Sequence, residues 1–350
     1  MTAERGWRSH PLLQLTLVRY REFYREPEAI FWVFIFPVLL TAGLGIAFRS
    51  RAPDRTPIAL VAHREQAALA ERLASDSALK VRLLTDSSAA QALRAGEVAL
   101  VVVTTDSGVE YRYDPERPDA REARLRADEA VQRTAGRSDP VPAHERTVRE
   151  AGSRYVDFVV PGLLGMNLMG SGIWGIGFAI VDARRKHLLK RLVATPMSRT
   201  QYLASFVLSR LTFLVLEVAL LLGFAALVFG VPVRGSPGTL AGVCLLSALA
   251  FASLGLLLAA RPRTVEGVSG LMNLVMLPMW IFSGVFFSSS RFPDAVQPLI
   301  KALPLTAVND ALRATMLRGA GLNQVLPELA VIVAWLVLSF AVAVRLFRWR

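Results

Sequence analysis

The chain has 350 residues, of which 53% are hydrophobic, and its mean hydropathy of +0.42 excludes an ordinary soluble domain. Its formal net charge of +12 argues little for nucleic-acid binding, because the basic residues are concentrated in short segments beside apolar runs. Cys244 is the only cysteine, so no disulfide within the chain is expected.

Six long apolar runs define the organisation of the chain. Each has about 19–24 residues, or roughly 28–36 Å as helix, which is enough to cross a hydrocarbon core of about 30 Å. Because a helix satisfies its own backbone hydrogen bonds in lipid, the runs are predicted to be six membrane helices. They are Ile30–Phe48, Phe158–Ile180, Phe206–Phe229, Leu240–Ala260, Gly267–Phe287 and Leu326–Leu346.

The distribution of basic residues predicts the orientation of these helices. Bases cluster before the first run, between the second and third, after the fourth and in the tail. By the positive-inside rule, both termini are predicted to be cytoplasmic, in a multi-pass protein of the cell (inner) membrane whose bases also attract anionic lipid. The long insert after the first run is then expected outside the cytoplasm.

The region 1–48 is predicted to hold an interfacial helix and the first span. His10–Glu26 combines leucines with arginines and aromatic residues, which suits a helix in the membrane interface before the chain turns at Pro27. A solvated leader is the alternative. The first apolar run begins too late and is too long for a cleavable signal peptide, so it is expected to serve as a signal anchor.

The insert, 49–155, is predicted to be an extracytoplasmic α/β domain. Apolar strands alternate with amphipathic helices, and a loop at Gly136–Pro142 leads into a connecting helix towards Tyr155. The sequence does not decide whether this domain binds a substrate or partner or merely caps the membrane part. The predicted strands are Pro57–Ala62, Leu79–Leu84, Val98–Thr104 and Val109–Tyr113, and the predicted helices are Gln66–Ser75, Ser87–Ala95 and Asp119–Arg133.

The region 156–350 holds five further spans and two unusual segments. In the segment 182–202, leucines recur at helical spacing among basic residues before Thr195 and Pro196 break the helix. Such a helix either lies passively on lipid or is a contact surface on which another protein acts. The segment 288–325 is broken by prolines, including Pro298 and Pro304, and is compatible with membrane depth only where protein or water covers its backbone.

Polar residues inside the apolar runs are candidate pathway or packing residues. Glu217 lies near the middle of the third run, and Arg210, seven residues earlier, is on the same helix face. The pair either orients the helix or contacts a substrate or cation. For Asn167 and Asn273, hydrogen bonding between helices is the default explanation.

Glycines crowd the second apolar run at spacings that permit close helix approach. They indicate either packing within the chain or a dimer seam, and the sequence does not choose between the two. These glycines are Gly162, Gly165, Gly170, Gly172, Gly175 and Gly177.

Three stretches resemble the permease subunits of ABC-2-type (type V) exporters. Arg191–Ser198 (RLVATPMS) is similar to the family's cytoplasmic coupling segment, and Leu277–Phe287 (LPMWIFSGVFF) to the end of its fifth helix. Phe292–Arg313 is similar to its short re-entrant helices. The order of spans and the position of the insert also match. The chain departs from the family where Arg184–Arg191 (RRKHLLKR) lacks the glutamates common there.

The resemblance implies a function and a set of contact residues. It implies a permease of an ATP-driven exporter that works as a homodimer or with a second permease and moves an amphipathic, drug-like or lipid-linked substrate. The residues implied to couple to the ATPase are Arg184, Arg185, Lys186, Leu188, Leu189, Arg191, Leu192, Thr195 and Pro196. The residues implied for the re-entrant segment are Pro298, Pro304 and Asp310.

The absence of certain motifs limits the chemistry of the chain itself. No G-x-x-x-x-G-K-[ST] loop is present, so the chain is not expected to be an enzyme, and ATP and magnesium are expected on a separate ATPase subunit. The four histidines have no metal-ligand spacing, so no metal site is expected. A membrane sensor or scaffold acting through the insert is the alternative function. A secondary transporter is less compatible because no internal repeat is evident.

Overall fold

The computed structural model describes residues 11–48, 55–61, 67–76, 78–105, 108–137, 154–186, 199–262 and 264–346. The chain divides into two compact units, one made of Met1–Arg49 with Arg149–Arg350 and the other of Ser50–Val148. The helices are α1 (Pro11–Tyr24), α2 (Pro27–Ala47), α3 (Ala67–Ser75), α4 (Asp86–Arg94), α5 (Pro118–Thr134), α6 (Tyr155–Arg185), α7 (Arg199–Phe229), α8 (Pro237–Leu258), α9 (Val265–Phe282), α10 (Gln297–Ala302), α11 (Pro304–Arg318) and α12 (Leu326–Leu346), and the strands are β1 (Thr56–Val61), β2 (Leu79–Leu83), β3 (Leu100–Thr105) and β4 (Gly108–Tyr113).

The membrane helices predicted from the apolar runs are confirmed. In the described part of the chain, six helices are long and apolar enough to span a membrane: α2, α6, α7, α8, α9 and α12. The fifth span ends at Phe282 rather than at the predicted Phe287. Its end is set by Gly284, whose φ of +72° is a left-handed conformation that glycine adopts at helix C-termini without steric cost.

Helix α6 is the central helix of the membrane unit. It packs against α2, α8, α9 and α11, and its Leu163, Leu164 and Leu168 are fully buried. Gly172 of α6 lies against Phe251 of α8, where a Cβ at position 172 would come within 2.7 Å of the Phe251 Cβ. The missing side chain therefore lets the two helices cross at close range.

Helix α1 packs on the N-terminal half of α7, at Thr212 and Phe213. The Tyr20 hydroxyl lies 2.7 Å from the Thr212 hydroxyl, and the rings of Phe23 and Phe213 are 4.2 Å apart. This contact gives the amphipathic N-terminal helix a protein-facing side, while its interfacial position in a membrane remains a prediction.

The insert is an α/β domain, as predicted. Among the described residues, its sheet has the order β2-β1-β3-β4, with β1 parallel to β2 and β3 and with β4 antiparallel at one edge. Side chains alternate between the two faces of the sheet. Ile58 and Leu60 pack under α3 and α5, whereas Ala59 and Val101 pack under α4. The predicted connecting helix before Tyr155 lies outside the described residues.

Candidate functional site

Glu217 is held in a buried polar cluster between α6 and α7. Its Oε1 accepts a hydrogen bond of 2.9 Å from Arg210 Nη1, and its Oε2 lies 3.0 Å from the Ser171 hydroxyl. Arg210 Nη2 donates to the same hydroxyl, which thereby joins both charged groups. The Glu217 side chain is fully buried and that of Arg210 is 16% exposed, so the ion pair is largely removed from solvent.

Asn167 joins α6 to an irregular turn of α2. Residues Phe31–Ile35 form a π-helical turn, in which the regular i→i−4 hydrogen bonding is interrupted. The Asn167 side-chain amide donates to the Val33 carbonyl at 3.3 Å. This is a hydrogen bond between helices of the kind that the sequence indicated for Asn167.

Asn273 lies in a different environment from Asn167. It is near the middle of α9, and its side chain is exposed. Within the part of the chain that the structure describes, its amide makes no hydrogen bond. On the neighbouring α6, the Trp174 indole nitrogen donates to Met276 Sδ of α9, and Gly170 has open space where a Cβ would be. The Asn273 side of α9 and the Cβ position of Gly170 on α6 are thus each left uncovered by the described residues.

The other glycines of α6 differ in what they contact. Gly162 lies against the backbone of Val285, Gly165 against the Asn309 side chain and Gly177 against Met272, so these three serve packing within the chain. Gly175, like Gly170, has nothing within 4 Å of an added Cβ.

Arg184 lies at the C-terminal end of α6 and turns back into the protein. Its Nη1 donates to the carbonyls of Pro262 at 2.8 Å and Ala259 at 3.2 Å, and its Nη2 donates to the Ala260 carbonyl at 3.4 Å. By contrast, Arg185 and Lys186 are exposed. The other predicted coupling residues lie outside the described residues: Leu188, Leu189, Arg191, Leu192, Thr195 and Pro196.

Arg154 makes a similar contact at the N-terminal end of α6, and the sequence analysis did not select it. Its guanidinium binds the fully buried Asp157 carboxylate through bonds of 2.8 and 2.9 Å, and its Nη1 donates to the Phe229 carbonyl at 2.8 Å. A further bond reaches the Gly230 carbonyl. The three-residue spacing of Arg154 and Asp157 at a helix start was the only available signal, and it does not indicate the partner on α7.

The predicted re-entrant segment contains two consecutive helices, α10 and α11, that meet at Leu303. Pro298 and Pro304 each lie in the first turn of a short helix, where the missing N–H costs no hydrogen bond. The indole nitrogen of Trp335 donates at 2.8 Å to the carbonyl of Ala302, next to the break between α10 and α11. Trp335 is nine residues into α12, so the break lies roughly 13 Å along that span.

Helix α11 is anchored to α6 and to the end of α9. The Asn309 amide donates to the Ser283 carbonyl at 2.8 Å, and Arg313 donates to the carbonyls of Phe158 and Gly284. The predicted Asp310 is half-exposed, with its carboxylate 3.8 Å from Arg313. The residues that position this helix are therefore Asn309 and Arg313, which sequence reasoning did not select.

Comparison with known proteins assigns the chain to a family. Residues 27–345 match the sequence model described as ABC-2 family transporter protein. The chain is 22% identical over 372 residues to the linearmycin resistance permease protein LnrN of Bacillus subtilis, which covers 93% of this chain and 96% of that protein. It is 28% identical over 174 residues to the inner membrane transport permease YhhJ of Escherichia coli, which covers 49% of this chain.

Other matches cover only part of the relatives. The match to ABC transporter G family member 20 of Dictyostelium discoideum is 26% identical over 194 residues. It spans 27% of that protein, and the YhhJ match spans 46% of YhhJ. Because the family match extends over nearly the whole chain and includes every described span, the chain belongs to the ABC-2 family of transporter permeases.

Proposed function

We propose that this chain is the permease of an ATP-driven exporter that works as a pair with separate ATPase subunits. Its substrate is proposed to be an amphipathic, drug-like or lipid-linked molecule moved out of the cytoplasm. Support for a drug-like substrate comes from the resistance named for the Bacillus subtilis relative, and support for a membrane permease role from both bacterial relatives.

The observation that carries the proposal is the surface around Asn273. An amide without a hydrogen-bond partner is costly in hydrocarbon, and polar side chains at that depth usually face a partner or a water-filled cavity. Helix α9 buries one side, through Val268, Met272, Met276 and Met279, and leaves the Asn273 side uncovered. We propose that a second permease covers this side and that the substrate pathway runs between the two copies.

The ATPase is proposed to act on the segment that follows α6. Leu188, Leu189 and Leu192 would then contact the ATPase, and their replacement by aspartate should abolish coupling without preventing membrane insertion. A matched control replaces the exposed residues Leu322 and Leu326 at the opposite end of the protein by aspartate. Coupling that survived in the triple variant would exclude this coupling segment.

The decisive experiment is co-purification with a co-expressed ABC ATPase, followed by ATP turnover in lipid. A stable complex that transports linearmycin into everted vesicles with ATP would support the exporter. Failure to form a complex with any co-encoded ATPase would favour a sensor or scaffold that acts through the α/β domain.

The proposed orientation has both termini in the cytoplasm and the α/β domain outside. In sealed right-side-out vesicles, added protease should reach the α/β domain and leave both termini intact. Protection of that domain together with loss of the termini would invert the orientation and with it the proposed direction of transport.

A further inference from the structure

The inner end of α6 is tied to the inner end of α8 through one side chain. Arg184 donates to the carbonyls of Ala259, Ala260 and Pro262 at 2.8–3.4 Å. Helix α8 ends at Leu258, so the Ala259 and Ala260 carbonyls belong to the helix terminus, where no intrahelical donor follows. A cation there also interacts favourably with the negative end of the helix dipole.

The chemistry of this contact is specific to arginine. The planar guanidinium offers five N–H donors in a fixed fork and can serve several carbonyls at once. The carbonyls lie in the turn between α8 and α9, which resumes as helix at Val265. Arg184 therefore links the end of α6 to the turn that precedes α9, the helix that carries Asn273.

The two basic residues that follow Arg184 do not make the same contact. Arg185 is exposed, and Lys186 Nζ forms an exposed ion pair of 2.7 Å with Asp182, one turn back on the same helix. Only the first base of the Arg184–Lys186 run contacts the α8–α9 turn through the bonds described above. Of these three basic residues, Arg184 therefore contacts the protein interior, and Arg185 and Lys186 face solvent.

We infer that Arg184 is a positioning residue that transmits movement of the segment after α6 to the α8–α9 turn, and so to α9. The inference rests on the proposed function, because it requires an ATPase that moves that segment. It differs from the family resemblance in that Arg184 acts inside the permease rather than on the ATPase. Removal of its guanidinium should uncouple α9 from the ATPase while leaving ATPase binding intact.

Arg154 provides a matched control at the other end of the same helix. It also donates from a guanidinium to carbonyls at the end of a neighbouring helix, those of Phe229, the last residue of α7, and of Gly230, the next residue. Because Arg154 also pairs with the fully buried Asp157, the control is the double variant Arg154→Met/Asp157→Asn, which removes a contact to helix-terminal carbonyls without leaving a buried unpaired carboxylate and without touching the α8–α9 turn. A general loss of stability should affect both variants, whereas a loss of transmission should affect only the Arg184 variant.

The experiment follows the α8–α9 turn directly by electron paramagnetic resonance. Cys244, the only cysteine, is replaced by alanine, and the exposed Arg261 by cysteine for spin labelling. The distance between the labels of the two permeases is measured in the complex with the ATPase, without nucleotide and after trapping with ATP and vanadate. ATPase affinity is titrated on the same samples.

The inference predicts a distance change that depends on Arg184. In the trapped state, Arg184→Met should lower the population ratio of shifted to unshifted label distances by about fivefold or more, the equilibrium factor at the lower end of typical coupling free energies, with ATPase affinity preserved within about twofold. Arg184→Lys should restore part of the change, because an ammonium group reaches fewer carbonyls at once. The control variant Arg154→Met/Asp157→Asn should retain the full change.

Three other results would contradict the inference and are distinguishable from one another. A full distance change in Arg184→Met would show that the turn moves without this link. A complex that hydrolyses ATP while the Arg261→Cys labels keep their distance would overturn the inference and leave the proposed function standing. Failure of the permease to bind an ATPase would overturn both. If Arg184→Met does not accumulate in the membrane, Arg184→Lys and Arg184→Gln provide the same comparison.

Discussion

At the residue scale, the geometry around Glu217 favours a structural role. One carboxylate oxygen accepts from Arg210, the other lies 3.0 Å from the Ser171 hydroxyl, which is also 2.7 Å from the Asn167 carbonyl oxygen, and the side chain has no exposed area. Because the side chain is fully buried, a substrate or cation could reach the carboxylate only if the packing around it changed. The cluster instead binds α7 to α6 at mid-span.

A double-mutant cycle tests this role. Glu217→Leu alone should destabilise the protein by up to about 3–5 kcal/mol, because it leaves Arg210 buried and unpaired. Glu217→Leu combined with Arg210→Met removes both charges and should be less destabilised than Glu217→Leu. The measurement is the apparent unfolding temperature in detergent. Two results together would instead indicate a pathway residue. The stability losses of the two single variants would add in the double variant, and Glu217→Gln would alter transport while keeping normal stability.

The sequence predicted this site in part. The seven-residue spacing placed Glu217 and Arg210 on one face of a helix, and both do take part in one contact. Ser171, which joins them, comes from α6, and no local pattern indicates which neighbouring helix faces an intramembrane carboxylate. Arg154 and Arg313 were missed for the same reason, since their carbonyl partners are distant in sequence.

At the element scale, the crossing of α6 and α8 depends on two glycines. A Cβ on Gly255 would come within 2.7 Å of the Ile173 carbonyl oxygen, and Gly172 has an equally close neighbour in Phe251. The obstacle at Gly255 is backbone, which cannot rotate away as a flexible side chain can. Close helix approach, rather than backbone flexibility, therefore explains these glycines.

Alanine substitutions at two glycines of α8 should change the stability of the protein in opposite directions, according to whether the glycine lies at the helix crossing. Gly242→Ala meets nothing within 4 Å and should stabilise the helix by up to about 1 kcal/mol, the propensity difference between the two residues. Gly255→Ala gains the same propensity but forces the helices apart, so its apparent unfolding temperature should fall. Thermal unfolding of both variants in the same detergent is the test. Equal stabilisation would show that the helices have room to separate.

At the scale of the whole molecule, the α/β insert has hydrophobic cores of its own. Ile58, Leu60 and Leu100 are fully buried between the sheet and α3 and α5, and a second apolar cluster lies under α4. A domain of roughly this size can fold by itself. The segment Ser50–Val148, expressed alone, is therefore expected to be folded.

Two leucines of the sheet provide a matched test. Leu60→Ala should lower the free energy of unfolding of the isolated segment by about 2–5 kcal/mol, the usual range for a buried leucine. Leu83→Ala, at a position that is 64% exposed, should change it by no more than about 0.5 kcal/mol. Urea unfolding followed by circular dichroism measures both. Similar losses in the two variants would mean that the isolated segment does not keep this core.

The sequence alone determined the number and approximate ends of the membrane helices and the order of strands and helices in the insert. These features follow from the length of apolar runs and from their periodicity, which are local properties of the chain. Only the tertiary structure decided which glycines of α6 serve packing within the chain and which remain open, and that Arg184 faces α8 while Arg185 faces solvent. The physical reason is that a side chain's partner depends on which distant helices lie beside it, and helix periodicity specifies a face but not the neighbour that the face meets.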